Sequence, residues 1–342
     1  MNMKSLLSRR DFLKAGLFGT AGLAGVAAAA RSTSTALPAS PPLPPSTFPT
    51  DEHAGHDGTG VVGDVDISRF DPMKFLTEFD TGKLSRLPTG QPLREYPIVA
   101  VDKEVEIAPG VYFPGWAYNG QIPGPTFRCT EGDRLRFHFT NGGSHPHTIH
   151  FHGIHPPSMD GFTPVVGPGE SFVYEFDARP FGLHVYHCHS TPLKRHIHKG
   201  LYGTFIIDPR GGRSPAHEMV MVMNAFDTTF DGENEVYAVN TVAFHYAKHP
   251  IRVKVGELVR VYLSNMTEFD PINSLHLHAG MFRVYRTGTR LDQWDYTDLV
   301  MLCQGDRHIL EFTLEYPGLH MFHAHQSEFA ELGWLGFFEA VP

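Results

Sequence analysis

Cys188 lies between two histidines in the segment HVYHCH at 184–189. The segment is apolar enough to form a β-strand, in which successive side chains point to opposite faces. His187 and His189 would then share one face, while Cys188 would point to the other. A thiolate combined with imidazoles suits a copper ion that changes its oxidation state by one electron. One short segment can therefore hold a metal site on each of its sides, joined by a few covalent bonds.

The segment HTIHFH at 147–152 has the same alternation. His150 and His152 share a face, and His147, three residues before His150, faces the opposite way. The two segments together predict a thiolate group containing His147 and Cys188. They also predict a separate group of four histidines: His150, His152, His187 and His189.

The thiolate group needs a further imidazole, which the loop after Cys188 can supply. His196 and His198 are both candidates. We favour His196, because Leu201 then follows it by five residues at the position of a weak axial ligand. Leucine cannot coordinate, so copper held by His147, Cys188 and His196 would be three-coordinate and would have a relatively high reduction potential.

Four segments of the chain recur in the same order further on. The matched segments are 130–139 with 254–263, 150–152 with 276–278, 166–176 with 302–312, and 181–189 with 317–325. Ordered matches of this kind indicate two tandem domains of similar structure. The domain boundary is expected near 209–213.

The second copy keeps the four histidines and loses the thiolate group. Its histidines are His276, His278, His323 and His325. Ala324 stands where the first copy has Cys188, and Asn273 stands where it has His147. Eight imidazoles without a carboxylate or thiolate suit several copper ions that bind dioxygen, rather than calcium, magnesium or structural zinc.

The elements that must position these residues are β-strands. From about Tyr96 onward, apolar runs of four to eight residues alternate with Gly, Pro, Asn and Asp, which is typical of an all-β sandwich. The 34 Gly, 27 Pro and 12% aromatic residues also favour strands and turns. A net charge of −9 without a basic patch argues against nucleic acid and anionic membrane surfaces as partners.

The N-terminus is predicted to be an export signal. Residues 8–14 read SRRDFLK, which matches a twin-arginine signal, and a weakly apolar run follows to Ala30. That run is too short and too rich in Gly and Ala for a permanent membrane span. We therefore expect a signal peptide at 1–30, a disordered linker rich in Pro and containing His at 31–60, and a periplasmic or extracellular location.

The remaining chain is divided into a first domain at 61–209 and a second at 210–342, with 61–95 as an extension of the first.

Export implies an oxidising compartment, in which disulfides can form. The three cysteines are an odd number, so at least one is unpaired, and Cys188 is the natural candidate. Whether Cys129 pairs with Cys303 is left open by the sequence.

The segments NGQIPGPT at 119–126, HTIHFHG at 147–153, HCH at 187–189, HLH at 276–278 and HAH at 323–325 resemble the multicopper oxidase family. The likeness is greatest to its two-domain, laccase-like members that hold blue copper in the first domain only. It covers about 96–342. It implies two tandem cupredoxin-like Greek-key β-sandwich domains and four copper ions per protomer.

The resemblance assigns a role to each ligand. Type 1 copper would be bound by His147, Cys188 and His196, with Leu201 at the non-coordinating axial position. Type 2 copper would be bound by His150 and His276. The type 3 pair would be bound by His152, His187, His189, His278, His323 and His325. Because such two-domain proteins close the cluster between neighbouring subunits, the resemblance also implies a homotrimer.

Two carboxylates gain a role in the same way. Asp160 resembles the family's acid near type 2 copper, and Glu328 resembles the acid near the type 3 pair. Reduction of dioxygen to water consumes protons, so a buried site needs proton carriers within hydrogen-bond reach.

The resulting hypothesis is a copper-dependent oxidoreductase with dioxygen as acceptor. A reductant would give single electrons through an exposed edge of His196, and they would pass by Cys188 to His187 and His189. The reductant could be a phenol, an aromatic amine or a metal ion. The absence of a Met-rich insertion leans toward organic substrates. The alternatives are a copper-containing nitrite reductase and a periplasmic copper-binding protein without turnover.

Overall fold

A computed structural model describes residues 63–342 of the chain. The predicted export signal and linker lie outside the described residues. Strands dominate the described part. In its first half these are β1 (Lys83–Arg86), β2 (Pro92–Ala108), β3 (Val111–Tyr118), β4 (Gly124–Thr130), β5 (Arg134–Asn141), β6 (His150–Phe151), β7 (Ser171–Asp177), β8 (Gly182–His187) and β9 (Tyr202–Asp208).

The second half contains eleven further strands. They are β10 (His217–Phe226), β11 (Val236–Val239), β12 (Ile251–Lys254), β13 (Val259–Asn265), β14 (Ile272–Leu277), β15 (Phe282–Arg286), β16 (Asp295–Thr297), β17 (Leu299–Cys303), β18 (Arg307–Phe312), β19 (Gly318–His323) and β20 (Leu335–Val341). The helices are short. They are α1 (Pro72–Phe75), α2 (Leu193–His198), α3 (His245–Lys248), α4 (Ser327–Glu331) and a 3-10 turn at Pro157–Met159.

The strands form four sheets, two in each half of the described chain. The first half has a sheet in the order β1-β2-β5-β7, with β3 also on β2, and a sheet in the order β4-β9-β8-β6. The second half has the orders β11-β10-β13-β18-β15-β16 and β12-β20-β19-β14-β17. Each sheet contains one parallel pair, namely β2 with β5, β4 with β9, β10 with β13 and β12 with β20. The predicted all-β fold of tandem cupredoxin-like sandwiches is confirmed.

The cores follow from the alternation of apolar residues along the strands. Phe127, Phe137 and Phe151 belong to a buried cluster of the first sandwich, which also contains Cys188. A separate cluster fills the second sandwich around Phe322. The second copy has ten more residues than the first between its two histidine pairs. These residues fall in the region of β15–β17. The domain limits at 209 and 210 stay a prediction, and no sheet of the described chain crosses between β9 and β10.

The extension before Tyr96 contacts both sandwiches, whereas the sequence analysis predicted an extension of the first domain only. β1 pairs antiparallel with β2 of the first sandwich. Leu76 packs in the core cluster of the second sandwich, and its carbonyl accepts a hydrogen bond from the Val220 amide at 2.8 Å. The extension therefore ties the two sandwiches together. None of the described helices is long and apolar enough to cross a membrane.

A charged network also joins the sandwiches. Arg128 on β4 bonds Asp208 at 2.7 Å and Glu218 at 2.6 Å. Glu218 lies on β10 and also accepts from Arg260 at 2.8 Å, and Arg260 bonds Glu311 at 2.6 Å. Because these groups are partly buried and each charge has an opposite partner, the network fixes how the halves meet rather than adding much net stability.

Candidate metal centres

The structure brings His147, Cys188 and His196 together in the first sandwich. The Nδ1 atoms of the two histidines are 3.2 Å apart. Cys188 Sγ lies 3.3 Å from His196 Nδ1 and 4.0 Å from His147 Nδ1. All three residues are buried. Two imidazole nitrogens and a sulfur that converge without an intervening side chain fit a soft one-electron metal such as copper.

Burial also sets the protonation of this thiolate group. Burial, and next the charge of His196, lowers the pKa of His147 to about 4, and burial lowers that of His196 to about 4. The imidazoles are therefore neutral near pH 7, which leaves a lone pair for a metal. Burial raises the pKa of Cys188, opposed by hydrogen bonds from Thr148 and Ser190. The Thr148 amide donates to Cys188 Sγ at 3.4 Å.

His196, and not His198, completes the thiolate group, as the sequence favoured. His198 lies on the same short helix, but its Nε2 accepts from the Asp227 amide at 3.2 Å and its ring packs on Phe113. One helix thus sends its two histidines to different places. Leu201 is fully buried in the same core cluster as Cys188, and its carbonyl accepts from the Cys188 amide at 2.9 Å.

The expectation of an exposed His196 edge is wrong. His196 is only 3% exposed. Its ring centre lies 4.9 Å from that of Trp116, and the Arg195 guanidinium lies over the same indole at 5.2 Å. The physical reason is that α2 folds back against β3 and so places Trp116 beside the imidazole. Within one chain, Trp116 and Arg195 therefore separate this metal position from solvent.

The predicted first histidine group also assembles. His150 and His187 are directly opposite on β6 and β8, with ring centres 5.2 Å apart. His152 Nε2 and His187 Nε2 are 3.3 Å apart. The His189 ring lies 5.5 Å from that of His150. We call these four residues the first quartet.

The second sandwich repeats this arrangement closely. His276 and His323 are opposite on β14 and β19, with ring centres 5.5 Å apart. His278 Nε2 and His323 Nε2 are 2.9 Å apart, and the His325 ring lies 5.3 Å from that of His276. We call these four residues the second quartet.

Carbonyl groups orient matching histidines in both quartets. His187 Nδ1 donates to the Cys188 carbonyl at 3.0 Å, and His323 Nδ1 donates to the Ala324 carbonyl at 2.6 Å. A neutral imidazole with its proton on Nδ1 keeps its lone pair on Nε2. These hydrogen bonds therefore fix the ring orientation and aim Nε2 at a metal, the usual arrangement for metal-binding histidines.

Two aspartates do the same for His150 and His276. His150 Nδ1 donates to the Asp160 carbonyl at 2.7 Å, and the Asp160 carboxylate is 3.2 Å from the same nitrogen. His276 Nδ1 donates to the Asp298 carbonyl at 2.9 Å, with the Asp298 carboxylate at 3.8 Å. Sequence reasoning identified Asp160 but missed Asp298. Asp298 lies between β16 and β17, where the second copy is longer than the first, so the internal repeat did not align it with Asp160.

Glu328 is not brought to a quartet by any hydrogen bond or ion pair of residues 63–342. It lies on α4, and its side chain is exposed. Its role as a proton carrier stays a prediction.

Burial, together with the charges of His187 and Arg307, lowers the pKa of His152 to about 2. Burial likewise lowers the pKa of His278 and His323.

The strands end sooner than the sequence indicated. β8 ends at His187, so Cys188 and His189 follow the strand instead of lying inside it. The backbone stays extended after the strand, which is indicated by the nearly parallel rings of His187 and His189, with an angle of 28° between their planes. Regular pairing ends there because the partner strand starts at Tyr202, just after the turn at Lys199 and Gly200. The ligands therefore sit at strand ends, where side chains can meet without a neighbouring strand between them.

The second sandwich fills the place of the thiolate group with a hydrogen-bonded amide and a small side chain. Asn273 is buried and donates from Nδ2 to Thr267 Oγ1 at 3.1 Å. Ala324 is buried, and its amide donates to the Trp334 carbonyl at 3.2 Å, as Cys188 does to Leu201. Without imidazole or sulfur, this position has nothing with which to bind a metal.

The two quartets remain apart within one chain. Among residues 63–342, no cluster of three potential ligands combines histidines of both quartets. His278 and His325 are exposed, whereas His187 is buried. None of the three cysteines is in a disulfide in this part of the chain, and Cys129 is buried while Cys303 is exposed. The structure thus shows no Cys129–Cys303 disulfide.

Family models described as multicopper oxidase match residues 100–212 and 213–341. A solved structure described as a multicopper oxidase is 56% identical, with a TM-score of 0.80, and the match covers 81% of this chain and 100% of that one. These matches cover both sandwiches and all twelve residues of the predicted copper sites.

Curated relatives include proteins of two activities. A copper-containing nitrite reductase of Neisseria meningitidis is 27% identical over 259 residues, which is 68% of this chain and 67% of the relative. Laccase-24 of Oryza sativa subsp. japonica is 32% identical over 167 residues, which is 44% of this chain and 28% of the relative. The chain thus spans about two thirds of the curated nitrite reductases it matches and less of the laccase.

The copper-free protein should lose stability as pH falls from about 6.5 toward about 5. Burial holds the folded-state pKa of His147, His187 and His196 at about 4, while the unfolded chain titrates near about 6.5. In this interval the unfolded chain binds more protons, so acid favours unfolding. Urea unfolding of copper-free protein across this range measures the effect.

The copper-loaded protein is the control, since metal binding occupies the same lone pairs and adds stability to the folded state. A free energy of unfolding that stays constant or increases toward pH 5 in the copper-free protein would contradict the assignment of neutral, buried imidazoles.

Proposed function

Because the chain belongs to the multicopper oxidase family, we propose that it is a laccase-like oxidase, which couples one-electron oxidation of a phenol, aromatic amine or metal ion to reduction of dioxygen to water. Copper oxidoreductase activity follows from the family. The single observation that carries the finer proposal is the presence of two complete histidine quartets with matched geometry.

The residues present fit the metals that this proposal requires. His147, Cys188 and His196 would hold type 1 copper beside Leu201, and His150 with His276 would hold type 2 copper. The other six quartet histidines would hold the type 3 pair. When bound, four copper ions per protomer would supply one-electron redox chemistry and a place for dioxygen. Burial lowers the pKa of His147 and His187 to about 4, and His187 keeps the lone pair of Nε2 for a metal, which supports copper binding at both kinds of site.

The chain itself supplies the connection and the proton carriers. Cys188 is covalently joined to His187 and His189, so the thiolate group and the first quartet are linked through a few backbone bonds. Four phenols and one dioxygen give four phenoxyl radicals and two waters, which balances four electrons and four protons. The Asp160 carboxylate, half-exposed and 3.2 Å from His150 Nδ1, is placed to relay protons from solvent. Asp298 holds the matching position by His276.

A nitrite reductase is the second candidate, favoured by the identity of the Neisseria relatives. A protein with a single catalytic copper besides the thiolate site needs only a few imidazoles around that ion. This chain has eight, and carbonyl acceptors orient four of them, two in each sandwich. Eight imidazoles exceed the coordination of one copper ion and favour a multinuclear cluster. A non-catalytic copper-binding protein is less favoured, because none of the eight positions has lost its histidine.

We further propose that the cluster closes between subunits of a homotrimer. The second quartet borders an exposed apolar face on β14 and β17, where Ile272 is 39% exposed and Met301 is 62% exposed. The first quartet borders another, where Phe162 is 67% exposed and its ring lies 6.3 Å from that of His189. Large apolar side chains beside half-open ligand sets are typical of surfaces that bind another copy.

Export by the twin-arginine route remains part of the proposal and is supported by residues 8–14.

Copper-loaded protein should absorb strongly near the red end of the visible spectrum, and this band should depend on Cys188 and His196. Cys188→Ser and His196→Ala should each abolish the band, because each removes a ligand from the thiolate group. His198→Gln should keep it, since the His198 ring bonds the Asp227 amide instead. A visible absorption spectrum checks all three variants. Loss of the band in His198→Gln together with its retention in His196→Ala would reverse the assignment.

Copper-loaded protein given 2,6-dimethoxyphenol should consume one dioxygen for every four phenols oxidised. His325→Ala should keep the red-end absorption and lower the rate of oxygen uptake by at least about 100-fold, because it removes a ligand of the second quartet only. An oxygen electrode and a spectrophotometer give both readouts. Nitrite consumption under anaerobic conditions without oxygen use in air would instead support the nitrite reductase.

Met301→Glu should convert the protein mainly to monomers, because a carboxylate on the apolar face of β17 would have to be buried on assembly. The variant should keep its red-end absorption and lose oxygen uptake. Light scattering after size-exclusion chromatography measures the mass. Leu84→Glu, which changes an exposed leucine on β1 in a sheet that holds no quartet residue, is the control and should assemble normally. A Met301→Glu protein that forms trimers or reduces dioxygen normally would refute this interface.

A further inference from the structure

A cleft of about 610 Å³ lies beside α2, between the helix and the second sandwich. Its walls come from α2 and the turn that follows, from the loop at 227–232, and from Phe269. The volume is that of a typical small-molecule site. The cleft is distinct from both quartets, and none of the twelve predicted copper-site residues lines it.

Three cations face this cleft without a carboxylate partner. Lys194, Arg195 and Lys199 make no ion pair with a carboxylate in residues 63–342, although the chain has a net charge of −9. Each lies over an aromatic ring instead. The distances to the ring centres are 4.8 Å from Lys194 to Phe269, 5.2 Å from Arg195 to Trp116 and 4.2 Å from Lys199 to Phe230. Unpaired cations gathered at one opening attract an anion.

The acidic residues of the cleft are already engaged. Asp227 is buried, and its carboxylate accepts from the amides of Asp231 at 3.2 Å and Gly232 at 2.8 Å. Asp231 accepts from the Glu233 amide at 3.0 Å. Burial, and next the charge of Arg195, lowers the pKa of Lys199. The charge of Asp227 opposes this shift. Three cations against two carboxylates leave the lining of the cleft with a net positive charge.

The two aromatic walls hold unusual backbone conformations. Phe230 has a φ of 62° and Phe269 a φ of 71°, the left-handed region that bulky residues rarely adopt. Such strained conformations concentrate at ligand sites. Phe230 is nevertheless 53% exposed, so its own burial does not explain its conformation. Two strained phenylalanines at one cleft are a platform for a flat apolar ring.

The cleft also connects to the thiolate group through α2. The helix carries His198, whose ring lies 4.9 Å from that of Phe269 at the cleft. Two residues earlier it carries His196, which is 3.3 Å from Cys188 Sγ. Since His196 itself is buried, a molecule that gives electrons to the thiolate group must dock on the residues around it. The cleft reaches the other side of the same helical turn.

We propose that this cleft binds the reductant, and that the reductant is an aromatic anion: a phenol that carries a carboxylate. The carboxylate contacts Lys194, Arg195 and Lys199, and the ring packs on Phe230 and Phe269. This inference rests on the proposed oxidase function. Each phenol loses one electron to the copper-loaded protein and one proton to solvent, and leaves as a phenoxyl radical, with dioxygen as the final acceptor.

Binding of benzoate, which the enzyme cannot oxidise as a phenol, tests the cleft apart from turnover. Calorimetry on the copper-loaded full chain should show benzoate binding, and benzamide, its neutral analogue, should bind more weakly. Lys194→Gln and Arg195→Gln should each weaken benzoate binding about fivefold, as expected for a partly exposed ion pair. Lys194→Arg should restore it, and Lys83→Gln, which removes a distant exposed lysine, should leave it unchanged. Equal affinity for benzoate and benzamide, or benzoate affinity that is unaffected in both cleft variants, would overturn the proposal.

Steady-state oxygen uptake tests the same cleft during turnover. The KM for 4-hydroxy-3-methoxybenzoate should increase about fivefold in Lys194→Gln and Arg195→Gln, while the KM for 2-methoxyphenol and the red-end absorption stay unchanged. The increase should shrink at high salt, because screening weakens exposed charge pairs. Equal changes of KM for the two phenols would refute the charge preference. If no phenol supports oxygen uptake while benzoate binds as expected, the oxidase proposal fails and the anion site stands.

Discussion

The alternation of side chains along extended backbone is the constraint on which the rest of this structure depends. Around Cys188 it sends a sulfur to one side and two imidazoles to the other within three residues. The partner segment at 147–152 must alternate in the same phase, because a shift by one residue would exchange the two faces. The pairing of His150 with His187 sets that phase. Two chemically different metal positions are thereby held a few covalent bonds apart.

The second sandwich shows which parts of this arrangement can be separated. It keeps the cross-strand pair of His276 with His323 and the carbonyl acceptors that orient them. It replaces the thiolate group with Ala324 and a buried, hydrogen-bonded Asn273. The quartet therefore depends on the strand pairing and its carbonyl acceptors, not on the neighbouring sulfur. Both sandwiches use the same hydrogen bond from Nδ1 to a backbone carbonyl. It keeps the proton of the neutral imidazole on Nδ1 and leaves the lone pair of Nε2 for a metal.

Burial and exposure divide the sites into two kinds. His147, Cys188 and His196 are enclosed by the first sandwich and by Trp116, so their surroundings are complete within one chain. The second quartet is half-open and lies beside apolar side chains of β14 and β17. The thiolate group is therefore enclosed by its own chain, whereas the second quartet is open at the surface. Ion pairs that include Arg128 and Glu218 connect the two sandwiches.

The sequence by itself determined the all-β fold, the internal repeat and the grouping of ten of the twelve predicted copper-site residues, because these follow from residue type and a period of two. It also favoured His196 over His198, and the structure places His196 at Cys188. Tertiary structure decided what local pattern does not encode. The fold of α2 buries His196 behind Trp116, β8 ends at His187, and a segment that is longer in the second sandwich than in the first brings Asp298 to His276. These features depend on contacts between residues far apart in the chain, which no periodicity of one segment can specify.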